Sequence, residues 1–320
     1  MTTKFDAMAS AKVFAGTPEQ TAKNLELIKF PALCSIKYDG WRMFEYNGEV
    51  RCRSMKPPKN KNVQRQMAEL FRAAADIGMK GLDGEALVGD EWDMNCMQNS
   101  SSMFNSYDVV GDFTFHVFDS YQFRDEPFAN RLLSVNDAVQ RLQPEFPWLR
   151  FVQHTKITDH EDLAAELDDV VSRGGEGIMG RSLDGKYKMG RSTMKEGWLW
   201  ALKPYMDDEA KIVGFEEELE NQNEQTVNER GYSSRSGHKE NLVPKGRLGK
   251  FICESSKFPG VTFGVGAGIG LTHALRQEVW DNRDSYLGRY LTYKYQAVGV
   301  KDRPRQPKFM GFRAAEDMSA

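Results

Sequence analysis

The pattern of the chain changes near residue 205, and this change constrains the fold more than any other feature of the sequence. Before it, apolar runs that favour strands interleave with amphipathic stretches that favour helices. The strand-like runs are ALCSIKYDG, MFEYNGEVRCRS and FTFHVFDS, and the helix-like stretches are VQRQMAELFRAAADIG and DHEDLAAELDDVVSRGG. Their order lacks the regular alternation of a doubly wound fold, so we expect an α+β domain over 1–204.

Residues 205–320 have a different character. One helical stretch, THALRQEVWDN, accompanies the β-like runs AKIVGFEE, GKFICES, GVTFGVG and YLTYKYQAVG. About five strands and a single helix in roughly 115 residues favour a small closed β-barrel such as an OB-fold. The sequence therefore predicts two domains, 1–204 and 205–320, as the length of 320 residues also favours.

A long polar segment, residues 217–246, separates the first two β-like runs of the second domain. It is acidic in its first half and basic from Arg230 onward. A connection usually has ~4–6 residues, so a segment of this length is either disordered or functional.

Composition restricts the function class. A net charge of −3 and 40% hydrophobic residues suit a globular protein, and no apolar run is long enough to span a membrane. The basic runs 51–65, 186–195 and 301–313 fit a polyanionic partner. Four scattered cysteines without a CxxC pair indicate neither a zinc site nor a disulfide framework. The N-terminal residues lack the layout of a signal peptide, so we expect a cytoplasmic protein, in the host cytoplasm if a bacteriophage encodes it.

A KxDGxR pattern is formed by Lys37, Asp39, Gly40 and Arg42. A lysine is a nucleophile only when it is neutral, and burial or nearby cations lower its pKa enough to allow that. The pattern is weak alone, but further short motifs follow it in order. These motifs carry Arg53 in CRSMKPP, Glu85 in LDGEAL, Phe118 in FHVFD, Glu176 in EGIMGR and Lys203 in WLWALKP.

This ordered series resembles the covalent nucleotidyltransferases, and specifically the ATP-dependent DNA ligases of the minimal viral and bacteriophage type. The resemblance extends from about Lys23 to Glu316, and the runs 184–197, 231–239 and 303–313 are similar to that subgroup in particular. It implies a nucleotidyltransferase (adenylation) domain over 1–204, followed by an OB-fold domain.

The resemblance implies a reaction in three steps. Lys37 attacks the α-phosphate of ATP, expels pyrophosphate and becomes a lysyl-AMP. The AMP then passes to the 5′-phosphate at a nick in duplex DNA, and the 3′-hydroxyl attacks that phosphate and releases AMP. Phosphoryl transfer depends on positioning and charge neutralisation, so Mg²⁺ is expected, with Mn²⁺ as an alternative. The expected partner is nicked duplex DNA, with no membrane, and the expected state is a monomer.

The resemblance also implies roles around the nucleotide. The catalytic residues would be Lys37, Asp39 and Lys203, with Asp39 near the 3′ end of the nick. Glu85 and Glu176 would hold the metal ion, because Mg²⁺ prefers carboxylates. Phe118 would stack on adenine. The residues expected to bind the nucleotide are Lys37, Arg42, Arg53, Glu85, Phe118, Lys203, Arg305 and Arg313.

Contacts with the DNA backbone are implied as well, and such contacts position the enzyme without reading sequence. Segment 217–246 is similar to the clamp-like loop of minimal viral ligases, and we expect it to be disordered without DNA and to order on the far side of a nick. The residues expected to contact DNA are Arg53, Arg191, Ser192, Lys195, Arg230, Arg235 and Lys239.

Two departures from the family pattern concern the first step. Ala201 replaces the first lysine of the usual Lys-x-Lys motif, which leaves Lys203 and makes Lys195 a candidate replacement. The ending FRAAEDMSA lacks the final lysine of the last motif. Both departures bear on the rate of lysine adenylylation more than on the identity of the reaction.

Two other readings stay open at this stage. An RNA ligase or an mRNA-capping guanylyltransferase would use the same lysyl-nucleotide chemistry on another substrate. A non-catalytic OB-fold protein that binds nucleic acid would use none of it.

Overall fold

The computed structural model describes residues 5–14, 18–93, 95–268, 270–296 and 302–313. The chain divides into two compact units, Met1–Lys203 and Pro204–Ala320. The final motif residues 314–320, which include the ending that lacks a lysine, lie outside the described residues.

The first unit contains two five-stranded sheets with helices around them. In chain order its strands are β1 (Ala11–Lys12), β2 (Ala32–Ile36), β3 (Trp41–Tyr46), β4 (Glu49–Cys52), β5 (Leu82–Leu87), β6 (Thr114–Ser120), β7 (Leu149–Phe151), β8 (Thr155–Ile157), β9 (Ile178–Ser182) and β10 (Leu199–Leu202). Its helices are α1 (Pro18–Glu26), α2 (Lys61–Asp76), α3 (Cys96–Asn105), α4 (Phe128–Leu142) and α5 (His160–Ser172). The strand orders are β1-β10-β9-β2-β8 in one sheet and β4-β3-β5-β6-β7 in the other.

The alternation of side chains decides which face of the second sheet is buried. Met43 of β3, Ala86 of β5 and Phe115 of β6 belong to one core cluster, into which α2 also packs its apolar side chains. Residues one position along these strands point to the opposite face, because successive side chains of a strand alternate. That opposite face carries the candidate chemistry.

The predicted α+β class is confirmed, with differences in detail. MFEYNGEVRCRS forms two strands rather than one, and the chain turns back at Asn47 and Gly48, whose φ values are 55° and 78°. Positive φ at both central residues is the requirement of a tight hairpin turn. Helices α1, α3 and α4 were not predicted. The α3 sequence CMQNSSSMFN is largely polar, whereas α4 has buried positions at helical spacing that identify it in retrospect.

The second unit is built on a β-barrel, as predicted for an OB-fold. Strands β11 (Tyr205–Asn221), β14 (Leu242–Glu254), β15 (Phe263–Gly266), β16 (Tyr290–Gln296) and β17 (Arg305–Phe312) close in the order β11-β14-β15-β17-β16. Helices α6 (His273–Asp281) and α7 (Arg283–Tyr286), the short strands β12 (Gln225–Val227) and β13 (Ser233–Arg235) and a 3-10 helix (Lys239–Asn241) complete its regular elements in the described part of the chain. Aromatic side chains fill the barrel, among them Phe251, Tyr293 and Phe309.

The polar segment 217–246, called the arm below, is folded, and the prediction that it is disordered without DNA is wrong. Strands β11 and β14 continue into it as a paired ribbon, with Glu220 opposite Val243. Beyond the ribbon, the buried Asn223 amide donates to the carbonyls of Ser236 and His238 at 2.9 and 2.8 Å. Backbone pairing and side-chain amides therefore stabilise a segment whose polar composition suggested disorder.

Asn60 connects α2 to the loop that follows α3. Its side chain is fully buried, accepts from the backbone N–H groups of Asn62 and Val63, and donates to the carbonyls of Met103 and Val109. This single amide therefore caps a helix and satisfies two carbonyls of another segment.

We predict that Asn60→Ala lowers the free energy of unfolding of the first unit by about 2–4 kcal/mol, because it removes a cap and leaves buried carbonyls without a donor. Urea unfolding followed by tryptophan fluorescence measures this loss, since five of the six tryptophans lie in that unit. Asp159→Ala is the control, because Asp159 caps α5 with two backbone N–H bonds at an exposed site. It should cost about 1 kcal/mol. Equal losses in the two variants would contradict the account.

Candidate active site

Lys37 lies where the chain leaves β2 and crosses from the first sheet to the second. Its backbone N–H donates to the carbonyl of Gly177 at 2.7 Å. Its ammonium group forms an ion pair with Oε2 of Glu176, and 27% of the lysine side chain is exposed. The KxDGxR lysine is therefore directed at a carboxylate, with part of its surface open to solvent.

Glu176 is the centre of the site. Only 5% of its side chain is exposed, and its two oxygens accept from different lysines, Oε2 from Lys37 and Oε1 from Lys203. A buried carboxylate is costly unless it is paired, and two ammonium groups pair this one. Gly177 follows it with a φ of 143°, and a Cβ there would lie 2.2 Å from the carbonyl oxygen of Leu202. Only glycine allows this close approach between the Glu176 loop and the end of β10.

Glu85 stands in a row of side chains across the second sheet. Arg42 of β3 lies opposite Glu85 of β5, which lies opposite His116 of β6. Burial raises the pKa of Glu85 to about 8, and the positive charges of Lys37 and Arg42 oppose this rise. A Cβ on Gly40 would lie 3.1 Å from Cγ of Glu85, so the KxDG turn packs beside this carboxyl group. Lys37, Glu85 and Glu176 thus lie close to one another.

Arg42 has a protein partner that the sequence analysis missed. Its guanidinium binds Asp83 through two bonds, from Nε to Oδ1 at 2.9 Å and from Nη2 to Oδ2 at 2.5 Å. The hydroxyl of Tyr187 donates to the same carboxylate at 2.7 Å. Asp83 is fully buried, so this triad fixes the orientation of Arg42. Tyr187 and Asp83 lie 104 positions apart in the chain, so no local sequence pattern could indicate their contact.

Phe118, the predicted adenine platform, is half-buried at the end of β6. The guanidinium carbons of Arg42 and Arg181 lie 5.6 and 5.5 Å from its ring centre. Arg181 is itself held by the buried Asp119, to which its Nη1 donates at 2.6 Å. The ring therefore lies beside two arginines, each of which is fixed by a buried aspartate.

The other residues predicted for the first unit lie in different settings. Asp39 lies in the turn before β3, and Arg53 follows β4 with an exposed side chain. Arg191 and Lys195 are also exposed. The expected DNA contact by Ser192 is wrong: its side chain is 1% exposed, and its hydroxyl accepts from the backbone N–H of Leu199 at 3.3 Å. Its role is to close a turn.

The predicted residues of the second unit lie on β17 and on the arm. Arg305 begins β17, and Arg313 follows that strand and forms an ion pair with Glu209 of β11. On the arm, Lys239 is exposed, Arg230 packs 5.4 Å from the ring of Tyr232, and Arg235 donates to the carbonyl of Asn223. Arg235 thus supports the folded arm directly.

The donor set of the first unit fits a hard cation. No cluster of three or more metal-ligating side chains occurs within the described residues. Mg²⁺ commonly takes one or two carboxylates and completes its shell with water and substrate phosphates, so Glu85 and Glu176 match that pattern. The proton that burial keeps on Glu85 is one that a bound cation would displace.

Among the described residues no helix is both long and apolar enough to cross a membrane. All four cysteines are buried as free thiols.

Comparisons with known proteins agree with this fold. The profile of the ATP dependent DNA ligase domain matches residues 11–201, and that of the DNA ligase OB-like domain matches 242–313. A DNA ligase of Variola virus is 26% identical over 195 residues, which cover 56% of this chain and 34% of that protein. The matched region therefore spans about a third of the length of this viral relative.

Among the solved structures that resemble nearly the whole chain are two DNA ligases. The Chlorella virus DNA ligase-adenylate is 26% identical, with 98% of this chain and 100% of that chain covered and a TM-score of 0.52. A Lig E DNA ligase, studied for DNA binding with a minimal scaffold, is 21% identical, with coverage of 95% and 99% and a TM-score of 0.63. The second likeness concerns the fold.

We predict that Glu85→Gln changes the pH dependence of stability. Wild-type Glu85 keeps its proton up to about pH 8 in the folded chain, whereas an unfolded glutamate loses it near pH ~4.3. The free energy of unfolding should therefore fall as the pH rises between these values, and the fall should be absent at this position in the variant.

Thermal unfolding from pH 4 to pH 9 measures the effect. The Tm of Glu85→Gln minus that of the wild type should rise between pH 5 and pH 8 and then level off. The control is Glu145→Gln, an exposed site, for which the difference should stay flat. A flat difference for Glu85→Gln would contradict the raised pKa.

Proposed function

The chain belongs to the ATP-dependent DNA ligase family, and from this premise we propose that it seals nicks in duplex DNA with ATP as the source of activation. The observation that carries the proposal is the carboxylate of Glu176 held between Lys37 and Lys203. Three separate motifs of the sequence contribute these residues, and the fold brings them into direct contact.

In the first step, Nζ of Lys37 attacks the α-phosphorus of ATP. A P–N bond forms, the bond from the α-phosphorus to the pyrophosphate oxygen breaks, and the ammonium proton must leave. Glu176 contacts that nitrogen and is the acceptor nearest to it among the described ion pairs. Lys203 binds Oε1 of Glu176, and this contact orients Oε2 toward Lys37.

In this proposal the nucleotide lies against the face of the second sheet that carries Arg42, Glu85 and Phe118. Phe118 offers its ring to adenine, and Arg42, oriented by Asp83, faces the ribose and phosphates. Glu85 and Glu176 are the residues that would hold Mg²⁺, or Mn²⁺ in its place. When bound, such an ion neutralises the phosphates of the leaving group.

The DNA side of the proposal rests on exposed cations. Arg53 faces the 5′-phosphate at the nick with Asp39 nearby, while Arg191 and Lys195 contact the flanking backbone. The arm adds Lys239, which is exposed, and Arg230, which is half-buried. Arg305 and Arg313 orient the pyrophosphate during the first step. One nick needs a single nucleophile, so we propose that the working form is a monomer.

We predict that incubation with ATP and Mg²⁺ adds one AMP to Lys37, and that Lys37→Ala removes this adduct because it removes the attacking amine. Intact-protein and peptide mass spectrometry measure both results. Lys156→Ala, at an exposed lysine of β8, is the matched control and should label as the wild type does. Labelling from GTP alone would contradict ATP-dependent ligation and favour a capping guanylyltransferase.

We also predict that the double change Arg230→Ala with Lys239→Ala weakens binding to nicked duplex and lowers the slope of log Kd against log salt by about 2, one for each lost phosphate contact. Fluorescence anisotropy from 50 to 300 mM salt measures the slope. Lys257→Ala, at an exposed lysine of the barrel unit outside the arm, should leave it unchanged. An unchanged slope in the double variant would remove the arm from the DNA interface.

A further inference from the structure

The segment Asp90–Asp93, called the strut below, lies outside every motif yet touches the loops on both sides of the site. It follows β5, the strand that carries Glu85. Its own polar groups hold it in shape. The Asp90 carboxylate accepts from the backbone N–H of Trp92 at 2.8 Å, and the Asp93 carboxylate accepts from that of Asn95 at 2.8 Å. The strut is therefore pre-formed rather than an open loop.

On one side the strut reaches the loop of the nucleophile. Glu91 Oε2 lies 3.7 Å from Nδ1 of His116, and the ring of Tyr38 packs on His116 with centres 4.6 Å apart. His116 is buried and its Nε2 lies 2.9 Å from the hydroxyl of Thr114. Burial and then the Glu91 carboxylate raise the pKa of Tyr38, which keeps that phenol neutral beside Glu91. Because Tyr38 directly follows Lys37, this group fixes the backbone that carries the nucleophile.

On the other side the strut supports the loop of Glu176. The guanidinium carbon of Arg173 lies 3.8 Å from the ring centre of Trp92. A Cβ on Gly174 would lie 3.2 Å from the Trp92 carbonyl oxygen, and a Cβ on Gly175 would lie 3.2 Å from Cζ3 of its ring. The Trp92 carbonyl thus lies against Gly174, and its indole packs against Gly175, which directly precedes Glu176.

We propose that Glu91 and Trp92 are positioning residues for lysine adenylylation, because they hold the loops of Lys37 and Glu176 in one fixed relation. The inference rests on the proposed function. Neither side chain touches the reacting atoms. Their effect is on the distance and direction between the attacking amine and its proton acceptor, and a displacement of about 1 Å in such a geometry can cost ~10²-fold in rate.

The test uses the full chain in three variants. Trp92→Ala removes the support of the Glu176 loop, Trp92→Phe retains an aromatic ring there, and Glu91→Gln removes the charge that faces Tyr38 and His116. Trp280→Ala is the matched control, because Trp280 also stacks on an arginine, with Arg283 4.2 Å from its ring centre, but lies in the barrel unit. Single-turnover formation of enzyme–AMP is followed over a series of ATP concentrations.

The expected result separates positioning from binding and from stability. In Trp92→Ala and Glu91→Gln the maximal rate should fall by about tenfold or more, while the half-saturating ATP concentration changes less than about threefold. Trp92→Phe should recover most of the rate. Sealing of a nick that already carries AMP should stay near the wild-type rate in Glu91→Gln, because Lys37 is not the nucleophile of that step. The Tm of each variant, recorded alongside, must lie well above the assay temperature.

Two results would overturn the inference while the proposed function stands: a wild-type maximal rate in both Trp92→Ala and Glu91→Gln, or a loss found only in the half-saturating ATP concentration. A wild-type protein that forms no enzyme–AMP would overturn the proposed function, and the inference with it.

Discussion

The structure of the first unit depends on one buried carboxylate with two cationic partners. Glu176 is 5% exposed and binds Lys37 through one oxygen and Lys203 through the other. Removing either lysine would leave the buried Glu176 carboxylate with only one cationic partner, which is energetically costly. The glycine at 177, which a side chain could not replace without meeting the Leu202 carbonyl, allows the loop to come this close to β10. The same contact that satisfies the carboxylate also aims the amine, so folding and chemistry share one constraint.

The two sheets of the first unit contribute different residues to the site. Lys37 enters from β2 of one sheet, and Glu85 stands on β5 of the other, with the turn at Gly40 between them. Asp83 and Tyr187 fix the orientation of the Arg42 side chain before any ligand binds. A site assembled from fixed groups costs little reorganisation when phosphate charge develops, which is the main requirement of phosphoryl transfer.

The sequence predicted the elements with strong local signals and missed those that depend on distant pairing. The order of the motifs located Lys37, Glu85, Glu176 and Lys203, and the change of pattern near 205 indicated a barrel that the fold confirms. The Asp83 contact was invisible because it depends on strand register. Ser192 looked like part of a basic surface run, but it is buried and its hydroxyl accepts a hydrogen bond from the backbone N–H of Leu199. The arm looked disordered because it is long and polar. One of its polar side chains, the amide of Asn223, in fact stabilises its fold.

The central claim is that the amine of Lys37, held by Glu176, becomes bonded to the α-phosphorus of ATP. A crystal structure of the protein after exposure to ATP and Mg²⁺ tests it most directly. The account predicts continuous electron density from Nζ of Lys37 to an AMP phosphorus, with adenine on Phe118. Density for AMP joined to another residue, or intact ATP lying away from Lys37 and Glu176, would contradict it.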